Sequence, residues 1–330
     1  MRRNGSETKP APIVTRTRVI GVTPIPNHEV MATTSVRKCH VAQSCGLDQI
    51  RHMLIARTLP DLRHACTQLR LTAGSLAFVP TMGALHEGHR TLVRAGVAAG
   101  AATVASIFVN PLQFAPAEDL SRYPRDEAGD LAALEAEGCA LVWLPDVATM
   151  YPAGEATTIV VGGPSERWEG DARPGHFRGV ATVCAKLFGQ VRPDRAYFGE
   201  KDWQQLQVVK RMVADLLLPL EIVGVQTVRE PDGLAMSSRN RFLSAPERVT
   251  APALIAAMRA AAAQIANGAA IPDVLEEARL GLTEKNFDIN YLALVECATL
   301  APIDRPRPGA RLIAAAKLGN VRLLDNIAAG

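Results

Sequence analysis

No run of 18 or more consecutive apolar residues occurs in this 330-residue chain, so no membrane-crossing segment is expected. The first residues, Met1-Arg2-Arg3-Asn4-Gly5, also lack the apolar stretch of a secretory signal. The six cysteines (Cys39, Cys45, Cys66, Cys139, Cys184 and Cys297) form no Cys-x-x-Cys pair and stand in no zinc-finger spacing with histidine. Several lie in apolar runs, where a free thiol acts as a small core side chain, and a reducing cytoplasm is the expected compartment. Basic runs dense enough for a nucleic-acid or membrane surface are missing, and the net charge is only +3. Absent too are the Gly-x-Gly-x-x-Gly fingerprint and the Gly-x-x-x-x-Gly-Lys-[Ser/Thr] loop, so any nucleotide must be held by another device. What is present is ordinary globular composition: 48% hydrophobic, 21% charged and a mean hydropathy of +0.07.

Residues 1–52 carry Pro10, Pro12, Pro24 and Pro26 and no sustained apolar periodicity, and are expected to form a disordered or loosely attached extension. From Met53 a strand–helix rhythm begins. Strands are predicted at 75–80, 103–109, 140–144, 195–198 and 220–228. Helices are predicted at 59–70, 88–100, 127–137, 181–191 and 203–217. Such alternation implies right-handed crossovers and a doubly wound parallel sheet, an α/β domain spanning 53–229. Beyond Glu230 the pattern changes to helices at 246–267 and 272–284 and strands at 291–296 and 311–316, a smaller α+β domain at 230–330 expected to cover the first.

In an open α/β sheet, ligands bind beyond the carboxyl ends of the strands. Four polar segments fall there. In the first, a strand runs through Pro80 and Thr81 into Met82-Gly83-Ala84-Leu85-His86-Glu87-Gly88-His89, with a helix expected to begin near His89. Free amides and the positive end of that helix favour phosphate, and the two histidines can donate hydrogen bonds to it. Two surface histidines, or half of a metal site, are the bland alternatives. The second segment is Asn110-Pro111-Leu112-Gln113-Phe114, where Gln113 offers donor and acceptor together, followed by Tyr123-Pro124-Arg125. In the third, Gly199-Glu200-Lys201-Asp202, a lysine suits phosphate and a carboxylate suits a ribose hydroxyl or hydrated Mg²⁺; Gln205 follows on the next helix. The fourth, Met236-Ser237-Ser238-Arg239, is either an anion clamp or a polar interdomain linker.

Taken in this order over about residues 53–326, the four segments resemble the pantothenate synthetase family, also called pantoate–β-alanine ligase. Trp203 stands where a smaller aromatic is common in that family, and Arg90 where an apolar or small polar residue is usual. The resemblance implies a Rossmann-like nucleotidyltransferase domain, a homodimer, and ATP with Mg²⁺ as the energy source. It also implies a reaction in which pantoate and ATP give pantoyl adenylate, which β-alanine converts to pantothenate and AMP. By motif it places ATP at Met82 through His89, Gly199 through Asp202, Val228 and Met236 through Arg239. His89 carries the proton-donor role, with His86 and Lys201 beside it. Gln113 and Gln205 contact pantoate, and Asn110 and Tyr123 border that pocket. Two other readings remain: a nucleotidyltransferase acting on a phosphorylated alcohol, which requires an acceptor pocket richer in Arg and Lys, and a non-enzymatic ATP-binding protein.

Overall fold

The computed structural model describes residues 52–114 and 123–329. Apart from His52, the segment expected to be an extension lies outside these residues. Six strands, β1 (Leu54–Ala56), β2 (Leu76–Thr81), β3 (Ala102–Ile107), β4 (Leu141–Trp143), β5 (Arg195–Gly199) and β6 (Glu221–Val225), form one parallel sheet in the order β1-β4-β3-β2-β5-β6. The doubly wound expectation therefore holds. Strand order grows outward from β2 through β3 to β4, then returns across the sheet to β5. The switch point lies between β2 and β5, where a crevice opens beyond the strand ends.

Helices cover both faces: α1 (Leu59–Ala73), α2 (Glu87–Ala98), α3 (Glu127–Ala136), the short α4 (Val147–Met150) and α5 (Glu169–Ala172), then α6 (His176–Val191) and α7 (Trp203–Asp215). Alternation along β2 sorts its side chains. Phe78 faces a core with Val104, Leu141, Trp143, Leu62 of α1, Leu187 of α6 and Leu206 of α7, whereas Val79 faces Ala105, Val142, Leu92 of α2 and Leu134 of α3. Both sets are buried, as the near-continuous apolar reading of β2 requires. Cys66, Cys139 and Cys184 are free thiols in these cores, and burial pushes Cys139 and Cys184 up to about 12.

Beyond β6 the chain forms α8 (Ala245–Thr250), α9 (Ala253–Ala266), α10 (Ile271–Thr283) and an antiparallel sheet of β7 (Phe287–Glu296), β8 (Ala310–Leu318) and β9 (Val321–Ala328). The helix expected at 246–267 is divided at Ala251-Pro252, because Ser244 and Glu247 form a capping box for α8 and Pro252 starts α9 afresh. By length and composition alone, 245–266 matches a membrane-crossing helix. In the fold, Leu254, Ile255, Met258 and Ile265 of α9 are buried with Leu312, Leu318 and Leu323 of the antiparallel sheet. Strand β9 was not expected. It follows β8 through the two-residue Gly319-Asn320 connection, with Gly319 at φ +57°.

Candidate active site

The turn after β2 is built from side-chain and backbone bonds that leave it little freedom. Gly83 and Ala84 have φ of +81° and +52°. A Cβ on Gly83 would lie 2.8 Å from Asp130 Oδ2, so glycine is required there by both backbone and space. The buried Asp130 carboxylate accepts the amides of Ala84 (2.9 Å) and Leu85 (2.8 Å), and Thr81 Oγ1 accepts that of Gly83 (3.2 Å). Helix α2 then begins at Glu87, one residue before the predicted range of 88–100, because His86 caps it. His86 Nδ1 accepts the Gly88 amide (3.1 Å), His89 Nδ1 accepts the His86 amide (3.4 Å), and the amides of His89 and Arg90 bond to the His86 carbonyl. From Gly83 to Arg90 every backbone N–H except that of Glu87 is thus engaged within the turn. Of the helix-start amides expected to be free for phosphate only that of Glu87 remains so, since imidazoles take those of His86 and Gly88 and the His86 carbonyl takes those of His89 and Arg90.

The imidazoles of His86 and His89 stand together at this turn. Their rings lie 4.2 Å apart. With each Nδ1 an acceptor, each neutral ring carries its proton on Nε2. Desolvation, followed by the Lys201 ammonium, lowers His86 to about 4; desolvation, followed by His86, lowers His89 to about 3. Both are therefore neutral Nε2–H donors at physiological pH.

The turn after β5 stands across the switch point. Lys201 Nζ donates to Asp202 Oδ1 (3.2 Å). Desolvation raises the Asp202 carboxyl, but Lys201, Arg239 and His176 outweigh it and leave the group below its ordinary value. From the loop after β6, Ser237 Oγ accepts the Arg239 amide (3.3 Å), so Ser237, Ser238 and Arg239 form a short turn at the same opening.

One cavity is lined by Met82, His86, Gly88, His89, Tyr123, Gly199, Lys201, Asp202, Gln205, Val228 and Met236 through Arg239. A second adjoins it and is lined by Gln113, Glu169, Arg173, His176, Gln204 and, from the antiparallel sheet, Tyr291, Asp325 and Asn326. Met82, Lys201, Asp202, Gln205 and Arg239 line both. Most of the expected residues are therefore brought together, with four differences of placement. Tyr123 borders the first cavity and not the one holding Gln113. Gly83, Ala84 and Leu85 line neither cavity and are held by Thr81 and Asp130. Glu87 and Glu200 also line neither: Glu87 pairs with Arg94, and Glu200 lies 3.7 Å from Arg311. Asn110 sits one layer behind, fully buried. Its Nδ2 donates to Gln113 Oε1 (2.9 Å) and Gly179 O (3.1 Å), while its Oδ1 accepts from Tyr151 (2.7 Å). With its Oε1 held by Asn110, Gln113 has its amide donors free to turn to the cavity.

Several lining residues had no motif to announce them. Gln226 and Thr227 of the first cavity follow β6 in a segment read as its continuation. Glu169, Arg173 and His176 lie in a Gly- and Pro-containing stretch between the elements predicted at 140–144 and 181–191, to which no element was assigned and where the cluster of charges was the available signal. Among the described residues, no group of three or more His, Cys, Asp or Glu side chains is arranged to hold a metal ion.

A parallel sheet that delivers histidines, a lysine and an arginine to one crevice at its switch point defines an α/β enzyme with its ligands at the strand carboxyl ends. Residues 54–328 match the model of the pantoate–β-alanine ligase family, and the chain belongs to that family; it is a ligase. The pantothenate synthetase of Granulibacter bethesdensis is 58% identical over 277 residues, covering 83% of this chain and 96% of that protein. That of Acidiphilium cryptum is 57% identical over 279 residues, covering 84% and 100%. Among solved structures, the pantothenate synthetase of Thermus thermophilus superposes with a TM-score of 0.79 at 48% identity, covering 83% of this chain and 99% of that one. The pantoate–β-alanine ligase of Francisella tularensis, solved with β,γ-ATP and β-alanine, gives 0.70 at 30% identity, covering 84% and 97%.

Proposed function

We propose that the chain condenses pantoate with β-alanine at the expense of ATP through a pantoyl adenylate formed where the two cavities meet. The observation that carries this reading is the shared wall of Met82, Lys201, Asp202, Gln205 and Arg239 between a cavity bearing two neutral imidazoles and one bearing Gln113. ATP occupies the first cavity and pantoate the second. A pantoate carboxylate oxygen attacks the α-phosphorus, the bond to the bridging oxygen breaks, and pyrophosphate leaves with its electron pair. Lys201 and Arg239 neutralise charge on the phosphates, while the Nε2–H groups of His86 and His89 donate to oxygens on which charge grows. The β-alanine amine then attacks the acyl carbon, loses its proton, and expels AMP. Adenylation makes this second step feasible, because AMP is a far better leaving group than oxide.

Mg²⁺ bound with the triphosphate supplies further charge neutralisation. Phosphate oxygens and water would hold most of it, with Asp202, which lines both cavities, as the protein group suited to it. The second cavity holds three carboxylates (Glu169, Asp202 and Asp325) among its cations, which disfavours an acceptor with its own phosphate. Residues 53–229 form the catalytic domain that binds ATP and pantoate, and residues 230–330 a smaller lid domain that adds Ser237, Ser238 and Arg239 to the site, a division supported by their separate sheets. The family likeness supports a cytoplasmic homodimer. Residues 1–52 are an extension outside the family match and dispensable for the reaction.

The test is AMP formation from ATP, with and without β-alanine, using pantoate labelled with ¹⁸O in its carboxylate. Label must appear in AMP, and pantoate must be preferred over other hydroxy acids. AMP without label removes the adenylate, and equal rates with other hydroxy acids remove the substrate assignment.

A further inference from the structure

The antiparallel sheet does more than border the second cavity. Asn326 on β9 is buried, and its Nδ2 donates to the carbonyls of both Glu200 and Lys201, each at 2.8 Å, across 126 and 125 residues of sequence. Its Oδ1 in turn accepts from Arg311 Nη1 on β8. The Arg311 guanidinium lies 3.4 Å from the centroid of Trp203, the first residue of α7, and its Nη2 is 3.7 Å from Glu200. The 3₁₀ turn carrying Lys201 is therefore gripped from one side by an amide and an arginine. At that turn the carbonyls of Glu200 and Lys201 have left the β5 ladder, and the Asn326 amide gives each of them a donor. The neighbouring Asp325 closes a second link: its carboxylate takes both Nη atoms of Arg229 (2.7 and 2.8 Å), and Arg229 Nη1 also donates to Gly233 O (3.0 Å) at the base of the loop leading to Arg239. Its Oδ1 also accepts the Asn326 backbone amide (2.7 Å), so the dyad is braced internally.

We infer that Asp325-Asn326 is a positioning dyad for adenylate formation, in which Asn326 aims Lys201 and Asp325 aims the Ser237-Ser238-Arg239 loop. The inference rests on the reading of Lys201 proposed above. A lysine held on a short turn aims its ammonium only as well as its backbone is fixed, and a displacement of about 1 Å in a reacting site costs on the order of 10²-fold in rate. Asn326 acts through Lys201, since its Oδ1 and Nδ2 are both taken by protein groups.

The experiment is a double-mutant cycle on pantoate-dependent pyrophosphate release by the full chain, using Lys201→Ala, Asn326→Ala and the double variant. Aminolysis of chemically prepared pantoyl adenylate by β-alanine is measured alongside. Lys201→Ala is expected to slow pyrophosphate release by about 10²-fold, as for loss of one charge-stabilising donor. Asn326→Ala is expected to slow it by about tenfold or more while leaving aminolysis within about threefold. The double variant is expected to be no slower than Lys201→Ala alone, because a residue acting through a side chain has nothing to act on once that side chain is gone. Near-wild-type rates for Lys201→Ala overturn the role of Lys201 itself. A slow Lys201→Ala with an unaffected Asn326→Ala, multiplied losses in the double variant, or equal losses in both half-reactions overturns the dyad. If Asn326→Ala does not fold, Asn326→Ser enters the same cycle, and failure of both to fold also overturns the proposal, making Asn326 a core residue.

Discussion

His86 and His89 were legible as a pair, but the chemical form in which they serve was not. Their spacing suggested donors at a helix start; the fold makes each Nδ1 an acceptor and so keeps the ring proton on Nε2, with values near 4 and 3. Unfolded histidine takes its proton near 6.5, so between these values the unfolded chain binds more protons than the folded one. Stability from this source is complete above pH 6.5 and is lost as pH falls towards 4 and then 3. Chemical denaturation of the wild type and His89→Asn across pH 4–8 is expected to show the variant losing less stability on acidification. The pH profile of kcat/KM for ATP should likewise carry no histidine limb near 6.5; such a limb, abolished in His89→Asn, would make the charged imidazole the working form. Asp130, 46 residues from Ala84, had no local signal, since only the folded chain brings its carboxylate to two amides of the turn after β2. Asp130→Ala leaves the buried Ala84 amide and the half-buried Leu85 amide without an acceptor and is expected to cost about 3 kcal/mol in urea-induced unfolding. A loss below about 0.5 kcal/mol would mean that the turn finds other partners.

At the scale of elements, strands read well where burial on both faces gave continuous apolar runs, as in β2, and less well where a start or stop depends on distant contacts. Helix α6 begins at His176, five residues before its apolar pattern suggested, because Gly175 enters at φ +83° and the first turn packs on the chain at Asn110–Gln113. Gly179 makes that packing possible. A Cβ there would meet Leu112 O at 2.2 Å and Gln113 N at 2.9 Å, within the turn that aims Gln113. An alanine fits only if the turn recedes by about 1 Å, a displacement worth on the order of 10²-fold in a reacting site. Gly179→Ala is therefore expected to lower kcat/KM for pantoate by about that factor, with ATP binding by calorimetry within about threefold of wild type. Equal loss for both ligands would show general damage to α6. Strand β9 escaped notice for a different reason. Its Asp325 and Asn326 are buried polar residues in what would otherwise be a plain strand pattern, and their partners at Glu200, Lys201 and Arg229 are invisible locally.

Over the whole molecule, the parallel and antiparallel sheets are joined by polar ties as well as apolar contact, and none of these ties could be read from spacing. One of them links Glu169, which opens α5, to Arg322 on β9. Both carboxylate oxygens lie 2.6 Å from Arg322 Nη1, and Tyr291 and Arg173 stand around the same group. Glu169 is buried, so its charge is tolerable only while paired. Arg322→Met keeps much of the side-chain bulk and removes the partner, and is expected to cost about 3 kcal/mol, the low end for breaking a buried pair, since Arg173 remains. Glu169→Gln in the same chain removes the stranded charge and should recover more than half of the loss, because a neutral amide is far less costly to bury. Thermal and urea unfolding of the two single variants and the double variant measure this directly. If the double variant is as unstable as the sum of the single ones, the two residues act independently, and the tie between the sheets is carried by apolar contact and the Asp325–Arg229 pair instead.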